Sequence, residues 1–158
     1  ADPRAAAALV RRAQADRPAM RFFAPSSFAG PAFVRALGPG VEEQVRLTTP
    51  TLPLEAYPRA AQRFVRAFDA RYGRAPVPEA IYGYEAMKAV LHALEEAGDL
   101  ANDRSEVVKE FFAIRDRRSV LGTYDIDENG DTTLSQHAVW RVRDGRLIFD
   151  GVVRAGPG

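Results

Sequence analysis

The sequence predicts an α/β protein in which a parallel sheet is flanked by helices and a β-hairpin lies near the C-terminus. Residues 20–24 form a short apolar run, which is typical of a buried strand in a parallel sheet. Residues 58–98 show the apolar spacing of two consecutive helices. Asp144-Gly145 separates two apolar runs near the C-terminus and is a strong hairpin signal. Strands and helices in this order favour a sheet with helices packed against it.

The N-terminal segment predicts a helix over residues 3–15. Asp2 is a favourable N-cap, and Pro3 suits the first helical position because its missing N–H needs no partner there. We expect Leu9, Val10 and Ala13 to face inward.

A polar turn follows the first predicted strand. Pro25 ends the strand, and Ser26, Ser27 and Phe28 come next at its carboxyl end. Open α/β sheets bind ligands at this edge. The two serines are therefore the main candidates for ligand contact, and the alternative is that their hydroxyls only cap the next turn.

The segment between the serines and residue 58 predicts one helix and one strand. The helix begins at Pro31 and ends at the Gly-Pro-Gly sequence of residues 38–40. The strand covers residues 44–49, with Val45 and Leu47 on one face. Residues 49–53 contain two prolines and predict an extended segment.

The two helices of residues 58–98 are separated by a proline-containing link. The first helix begins at Pro58 and stops at Gly73, and the second opens at Pro78. The second is apolar around most of its circumference, so we expect neighbours to cover it on several sides. Its predicted polar stripe consists of Glu85, Lys88, His92, Glu95 and Glu96.

The remaining segments predict one more helix and three short strands. The helix runs from residue 102 or 103 to residue 115, and two strands are predicted over residues 120–126 and 134–143. The last two strands form the hairpin. The apolar face of the helix consists of Val107, Val108, Phe111, Phe112 and Ile114.

Several of these segments together resemble a known family. The order and spacing of four motifs are similar to the C-terminal part of the branched-chain amino-acid binding proteins, which are type I periplasmic solute-binding proteins of ABC transporters. The four motifs are the Phe-Phe-Ala-Pro-Ser-Ser sequence of residues 22–27, Phe64 with Phe68, Tyr72 and Gly73, the Tyr-Gly-Tyr-Glu-Ala sequence of residues 82–86, and residues 121–131 with their Asn-Gly-Asp turn.

The resemblance implies a fragment of a two-lobed protein. Residues 1–48 and 138–158 would belong to the second lobe, and residues 49–137 to the first lobe, most of which would be absent. We therefore expect uncovered sheet edges and apolar helix faces, and pairing with the missing N-terminal part or with a second copy in a homodimer.

The resemblance also bears on the candidate ligand-binding residues. Amino-acid binders of the family can carry an acid just after the proline of the serine turn, where it accepts hydrogen bonds from the ligand's ammonium group. This sequence has Ser26 there, which supplies no negative charge, so a neutral or anionic ligand is favoured. Tyr82 and Tyr84 would lie near the lobe junction and are further candidates. Phe28 either lines the cleft or packs in the ordinary way.

Composition argues against several other classes of function. The formal net charge is +1, and no aromatic residues interleave the arginines as a single-strand binding surface requires, so no nucleic-acid partner is expected. No cysteine is present, so a disulfide framework and thiolate chemistry are not available. Asp125 to Gly130 imitates the start of a calcium-binding EF-hand loop, but Gln136 stands where a bidentate carboxylate is needed. We expect no bound metal and no cofactor. The acidic pairs Glu42-Glu43 and Glu95-Glu96 are predicted to be solvated.

The resemblance to solute-binding proteins therefore implies a binding module. We expect an extracytoplasmic protein, periplasmic or a cell-surface lipoprotein, that closes two lobes on a small molecule such as an amino acid or small organic acid and delivers it to an ABC permease in the membrane. The alternative is a ligand-sensing domain of the same fold in a regulatory protein. An unrelated α/β enzyme is disfavoured because no nucleophile with a base and no metal cluster is evident.

Overall fold

The computed structural model describes residues 2–154 and divides into two compact units. Residues 2–53 and 135–154 form the first, which we call the sheet unit. Residues 54–134 form the second, which we call the helical unit. The predicted lobe boundaries lie three to five residues from these limits, and the assignment of the units to lobes of a longer protein stays a prediction.

The regular elements are numbered in chain order. The helices are α1 (Pro3–Asp16), α2 (Pro31–Leu37), α3 (Arg59–Tyr72), α4 (Ala80–Ala97) and α5 (Arg104–Phe112). The strands are β1 (Phe22–Ala24), β2 (Val45–Thr49), β3 (Arg117–Arg118), β4 (Thr123–Tyr124), β5 (Gln136–Arg143) and β6 (Arg146–Arg154).

The sheet unit contains a four-stranded sheet in the order β1-β2-β5-β6. β1 and β2 pair in parallel, with Phe22 opposite Val45 and Ala24 opposite Leu47. β5 runs antiparallel to both β2 and β6, and a bulge interrupts the β5–β6 register at Val139. The predicted α/β fold class, with parallel strands, flanking helices and a C-terminal hairpin, is confirmed.

The core of the sheet unit lies between one face of the sheet and the helices α1 and α2. Alternation along β2 places Val45 and Leu47 on this face, and neither is exposed to solvent. Phe33 and Leu37 of α2 pack against them, and Ala7 is the contribution of α1 to the buried cluster. The short side chain of Ala7 allows α1 to pack closely against α2 and the sheet.

Two predictions about α1 and β1 are wrong. Leu9 is 70% exposed rather than inward, because the buried stripe of α1 passes through Ala7. The first strand begins at Phe22 rather than at residue 20, and Phe23 is 73% exposed. Alternation along β1 turns Phe22 and Ala24 toward the core and Phe23 toward the opposite face of the sheet.

Glu42 holds the turn of the β5–β6 hairpin. Its carboxylate accepts hydrogen bonds from the backbone N–H groups of Asp144, at 2.9 Å, and Gly145, at 3.0 Å. Asp144 has φ 51° and Gly145 has φ 67°, as a tight two-residue hairpin turn requires. The prediction of a solvated Glu42 is therefore wrong: the residue is only 9% exposed, and both carboxylate oxygens are satisfied by amide donors.

The helical unit is built from α3, α4 and α5 and contains only the two-stranded β3–β4 sheet. One buried cluster of this unit joins Ala89 of α4 to Ile114, Tyr124 and Ile126. α3 ends where predicted, at Gly73 in the left-handed conformation (φ 66°).

A buried carboxylate also organises the helical unit. Glu85 is only 4% exposed, and its Oε1 accepts hydrogen bonds from Arg117 Nε at 2.7 Å and from the Tyr124 hydroxyl at 3.0 Å. These bonds tie α4 to both strands of the β3–β4 hairpin. The prediction that Glu85 belongs to a polar stripe is wrong, because this position faces the core and pairs with the half-buried Arg117.

The opposite side of α4 is apolar and open. Met87 is 59% exposed, and Tyr84, Val90 and Leu91 are each more than 40% exposed. In the part of the chain that the structure describes, the expectation that α4 is covered on several sides is therefore not met.

Boundaries in the last third of the helical unit differ from the prediction. α5 spans only Arg104–Phe112, three residues short of the predicted end, and Val108 and Phe112 of its predicted apolar face are exposed. The strand predicted over residues 120–126 is limited to Thr123–Tyr124, and Arg117–Arg118 is a strand that the sequence did not suggest. Short strands in a two-stranded sheet lack the long alternating pattern that would reveal them.

Substitution of Glu42 by Gln tests the hairpin anchor. A neutral amide can accept only one of the two backbone hydrogen bonds well, so the free energy of unfolding should fall by about 1–3 kcal/mol. Trp140, the only tryptophan, lies in the sheet unit and gives a fluorescence signal for its urea unfolding. Glu43→Gln is the matched control, because Glu43 is exposed. Equal stability of the two variants would contradict the anchoring role.

A second prediction concerns the alkaline range. Burial, together with the neighbouring Glu85 carboxylate, raises the pKa of Tyr124 to about 12. A tyrosine in the unfolded chain ionises near pH 10. The folded protein therefore retains a proton that the unfolded chain releases, and the stability from this group should be lost as pH rises from about 10 to 12. Chemical unfolding at several pH values should show this loss of unfolding free energy. The Tyr124→Phe variant should lose less stability over the same pH range, because it has no phenol to ionise at this position. An unchanged pH slope in that variant would refute the assignment.

Candidate functional site: the serine turn

The serine turn is a single 3-10 turn, Ser26–Phe28, directly after β1. Pro25 has an extended backbone, with φ −74° and ψ 172°, and its carbonyl accepts a hydrogen bond from Phe28 N at 3.0 Å. The Ser26 carbonyl accepts from Ala29 N at 2.9 Å. These two bonds fix the turn at the carboxyl end of the parallel β1–β2 pair.

Both serine side chains are exposed, and neither makes a side-chain hydrogen bond with another residue among 2–154. They do not cap α2, whose N-cap is Gly30 and has no side-chain hydrogen bond. The capping alternative is thus not observed. Two hydroxyls are left free at this edge, and each can both donate and accept a hydrogen bond.

Phe28 has a packing role. It is half-buried against the core of the sheet unit, and its ring lies 5.2 Å from that of Phe33, centroid to centroid, at a tilt of 50°. This contact holds the serine turn onto α2 and the sheet beneath it.

The sequence did not single out Thr49, which lies at the same edge as the serine turn. β1 and β2 are parallel neighbours, and Thr49 ends β2 two residues after the Leu47 that pairs with Ala24. Its hydroxyl accepts from Trp140 Nε1 at 2.8 Å and donates to the Thr51 carbonyl at 2.7 Å. The position of Thr49, a polar residue at the end of the second predicted strand, could have identified it as a site candidate from the sequence.

Tyr82 and Tyr84 belong to the helical unit and are separate from the serine turn in this division of the chain. The Tyr82 hydroxyl lies 3.4 Å from that of the buried Tyr57. Tyr84 is 41% exposed, and its ring packs on Phe64 with centroids 4.6 Å apart. The two side chains therefore have different surroundings, although both come from the N-terminal part of α4.

The calcium-like loop is an ordinary acid-stabilised turn. Asp127 Oδ1 accepts from the backbone N–H of Asn129 at 2.8 Å and of Asp131 at 2.9 Å. The Asp131 amide is the main cause of the lowered pKa of Asp127, followed by contacts with Asn129. Within residues 2–154, no group of three or more His, Cys, Asp or Glu side chains is placed to hold a metal ion.

Comparison with known families shows where this arrangement belongs. The sequence model of the family described as periplasmic binding protein matches residues 1–146. The chain belongs to this family.

Solved structures of other family members resemble the chain over nearly its whole length. The leucine binding protein LivK of Thermotoga maritima is 27% identical, with a TM-score of 0.67, and the match covers 96% of this chain and 42% of that protein. A branched-chain amino acid ABC transporter protein of Rhodospirillum rubrum is 29% identical, with a TM-score of 0.65. The match covers 92% of this chain and 41% of that protein.

A third structure is more distant in sequence. The substrate binding protein LivJ of Streptococcus pneumoniae, solved in complex with isoleucine, is 18% identical with a TM-score of 0.64, and the match covers 98% of this chain and 43% of LivJ. At this identity the likeness shows the fold alone. The chain thus spans about two fifths of the length of these relatives.

Two searches were negative. No curated protein matches the chain significantly. Of the helices within residues 2–154, none combines the length and the apolar character needed to cross a membrane.

Structural and ligand-binding roles within the serine turn can be separated by mutation. Phe28→Ala removes a half-buried ring from the core, so the free energy of unfolding should fall by about 2–3 kcal/mol. Ser26→Ala and Ser27→Ala remove exposed hydroxyls without partners, so each should change stability by less than about 0.5 kcal/mol. Urea unfolding followed by Trp140 fluorescence measures all three. A large loss of stability in either serine variant would show that the hydroxyl has a structural role.

Proposed function

We propose that the chain is part of an extracytoplasmic solute-binding protein that takes up a small molecule for an ABC permease. The main support is the serine turn: an exposed pair of free hydroxyls, held rigidly at the carboxyl edge of a parallel strand pair, in a member of the periplasmic binding protein family. Such a protein binds its solute and does not transform it. The permease responds to the closed form, which the ligand favours by binding it more tightly than the open form.

The ligand is proposed to be a small organic acid or an amino acid, with neutral and anionic groups favoured at the serine turn. Ser26 and Ser27 can donate hydrogen bonds to a carboxylate or accept them from a neutral donor. Neither supplies the negative charge that would compensate a buried ammonium group. Ligands recorded for structurally similar proteins include isoleucine and benzoate, which share a carboxylate.

Phe28, Tyr82 and Tyr84 have secondary roles in this proposal. Phe28 positions the serine turn by packing on Phe33. Tyr84 presents an exposed ring edge and hydroxyl, and Tyr82 offers a hydroxyl beside that of Tyr57. Either phenol is suited to a polar group on a ligand that the helical unit also contacts.

A longer polypeptide is the proposed setting for this chain. The sheet unit and the helical unit would contribute to the second and the first lobe, respectively. The exposed apolar side of α4, formed by Tyr84, Met87, Val90 and Leu91, would be covered by the remainder of the first lobe. The chain's coverage of about two fifths of its relatives supports this arrangement.

Ligand binding to the complete two-lobed protein tests the proposal. Branched-chain amino acids, small aliphatic carboxylates and benzoate are screened by thermal shift and then by calorimetry. A ligand at 100 times its dissociation constant should stabilise the folded state by about 2.7 kcal/mol. The Ser26→Ala, Ser27→Ala double variant should bind at least about tenfold more weakly, because each lost charge-assisted hydrogen bond contributes about 1.5–3 kcal/mol.

Ser105→Ala is the control, because Ser105 is an exposed serine on α5 in the helical unit, where its hydroxyl donates to Asp103. It should bind the ligand with unchanged affinity. Absence of any ligand-induced stabilisation across the whole panel would weaken the proposed transport role. Full affinity in the double serine variant would leave ligand binding possible but would exclude the serine turn as its site.

A further inference from the structure

The two units of the chain carry opposite net charge, although the whole is nearly neutral. Residues 2–53 and 135–154 contain eleven arginines and six acidic side chains, so the sheet unit has a formal net charge of +5. Residues 54–134 contain eleven basic and fifteen acidic side chains, a net charge of −4. The sheet unit therefore attracts acidic partners, a property that the overall charge of +1 conceals.

A groove between α1 and α2 concentrates part of this positive charge. It is an open depression of about 700 Å³ on the sheet unit, and the side chains around it are either arginine or small. Proline and alanine on α2 form a floor without protruding groups, so a partner's backbone can approach closely. The lining residues are Arg4, Pro31, Ala32, Arg35 and Ala36.

Backbone carbonyls of α2 hold Arg35 in the groove and Arg11 beside it. Arg35 Nε donates to the carbonyl of Pro31, one turn earlier on α2, at 3.3 Å. Arg11 spans from α1 to α2, where its Nη1 donates to the carbonyl of Ala36. The Arg35 bond uses a single N–H and leaves the terminal guanidinium nitrogens available for a partner.

These guanidinium groups lack the partners that other arginines have. Arg46 pairs with Asp150 at 3.1 Å, and Arg117 pairs with Glu85 at 2.7 Å. By contrast, neither Arg4 nor Arg35 has a carboxylate within 4.0 Å among residues 2–154. Two arginines with unsatisfied positive charge thus flank one apolar floor.

We propose that this groove is a docking site for an acidic segment of a protein partner, with two carboxylates paired to Arg4 and Arg35. The planar guanidinium fork matches a carboxylate in a bidentate arrangement. The alanine and proline floor accommodates the short apolar side chains between the two acids. A concave site suits an inserted segment better than a flat lipid surface, and no aromatic side chain lines it to stack on a nucleotide base.

Titration with designed peptides tests this docking site. The probe is a synthetic helical peptide with glutamate at every fourth position, and the readout is the backbone amide NMR spectrum of the isotope-labelled protein. The amide signals that shift should be those of Arg4, Ala32, Arg35 and Ala36, together with the residues next to Pro31, which has no amide N–H of its own. The Arg4→Glu, Arg35→Glu double variant should lower the affinity at least about tenfold, and higher salt should weaken binding because the charges are exposed.

Matched variants separate docking from general attraction. Arg12→Glu with Arg17→Glu makes the same change in net charge at two exposed arginines outside the groove, and it should keep most of the affinity. A counterpart peptide with lysine in place of glutamate should bind the Arg4→Glu, Arg35→Glu variant, and a dispersed amide NMR spectrum shows that this variant is folded.

Three results would overturn the docking site. They are shifts spread over the whole sheet unit, an equal loss of affinity in both double variants, and failure of the lysine peptide to bind the charge-reversed groove. Binding to vesicles containing 30% phosphatidylglycerol, with none to the glutamate peptide, would also reject it in favour of a membrane surface.

Discussion

The parallel pairing of β1 with β2 is the constraint on which the candidate site depends. β1 is only three residues long and lies at the edge of the sheet, so it has little burial of its own. β2 is anchored by Val45 and Leu47, which are fully buried against α2. The backbone ladder transfers this anchoring to β1 and therefore fixes the turn that carries Ser26 and Ser27. Phe28 adds a second attachment by packing on α2.

Buried carboxylates complete the framework in both units. Glu42 satisfies two amide donors of a strained hairpin turn, and Glu85 receives hydrogen bonds from an arginine and a tyrosine. A buried charge is costly unless it is paired and hydrogen-bonded, so each acid must be matched by donors from distant segments. Glu42 reaches a hairpin about one hundred residues later in the chain. These two sets of hydrogen bonds join segments that are far apart in the sequence.

The sequence predicted the features that depend on local pattern. The caps and stops at Asp2, Pro31 and Gly73, the alternation of Val45 with Leu47, and the hairpin at Asp144-Gly145 arise from backbone geometry and short-range periodicity. The serine turn followed from its place after a strand.

The features that the sequence could not predict depend on long-range partners. Glu42 and Glu85 look like surface acids until their donors are known, and Leu9 looks like a core residue until Ala7 is seen to occupy the contact. The exposed side of α4 follows the same rule: Met87 and Val90 have a helical core pattern, but residues 2–154 do not cover them. The ligand roles of Ser26, Ser27, Tyr82 and Tyr84 stay predictions.

A crystal structure of the complete two-lobed protein with its ligand bound tests the central claim most directly. The account predicts a ligand polar atom within hydrogen-bonding distance of the Ser26 or Ser27 hydroxyl, with the serine turn still attached to Phe33 through Phe28. A ligand that contacts no part of the serine turn, or a turn covered by another segment of the polypeptide, would contradict it.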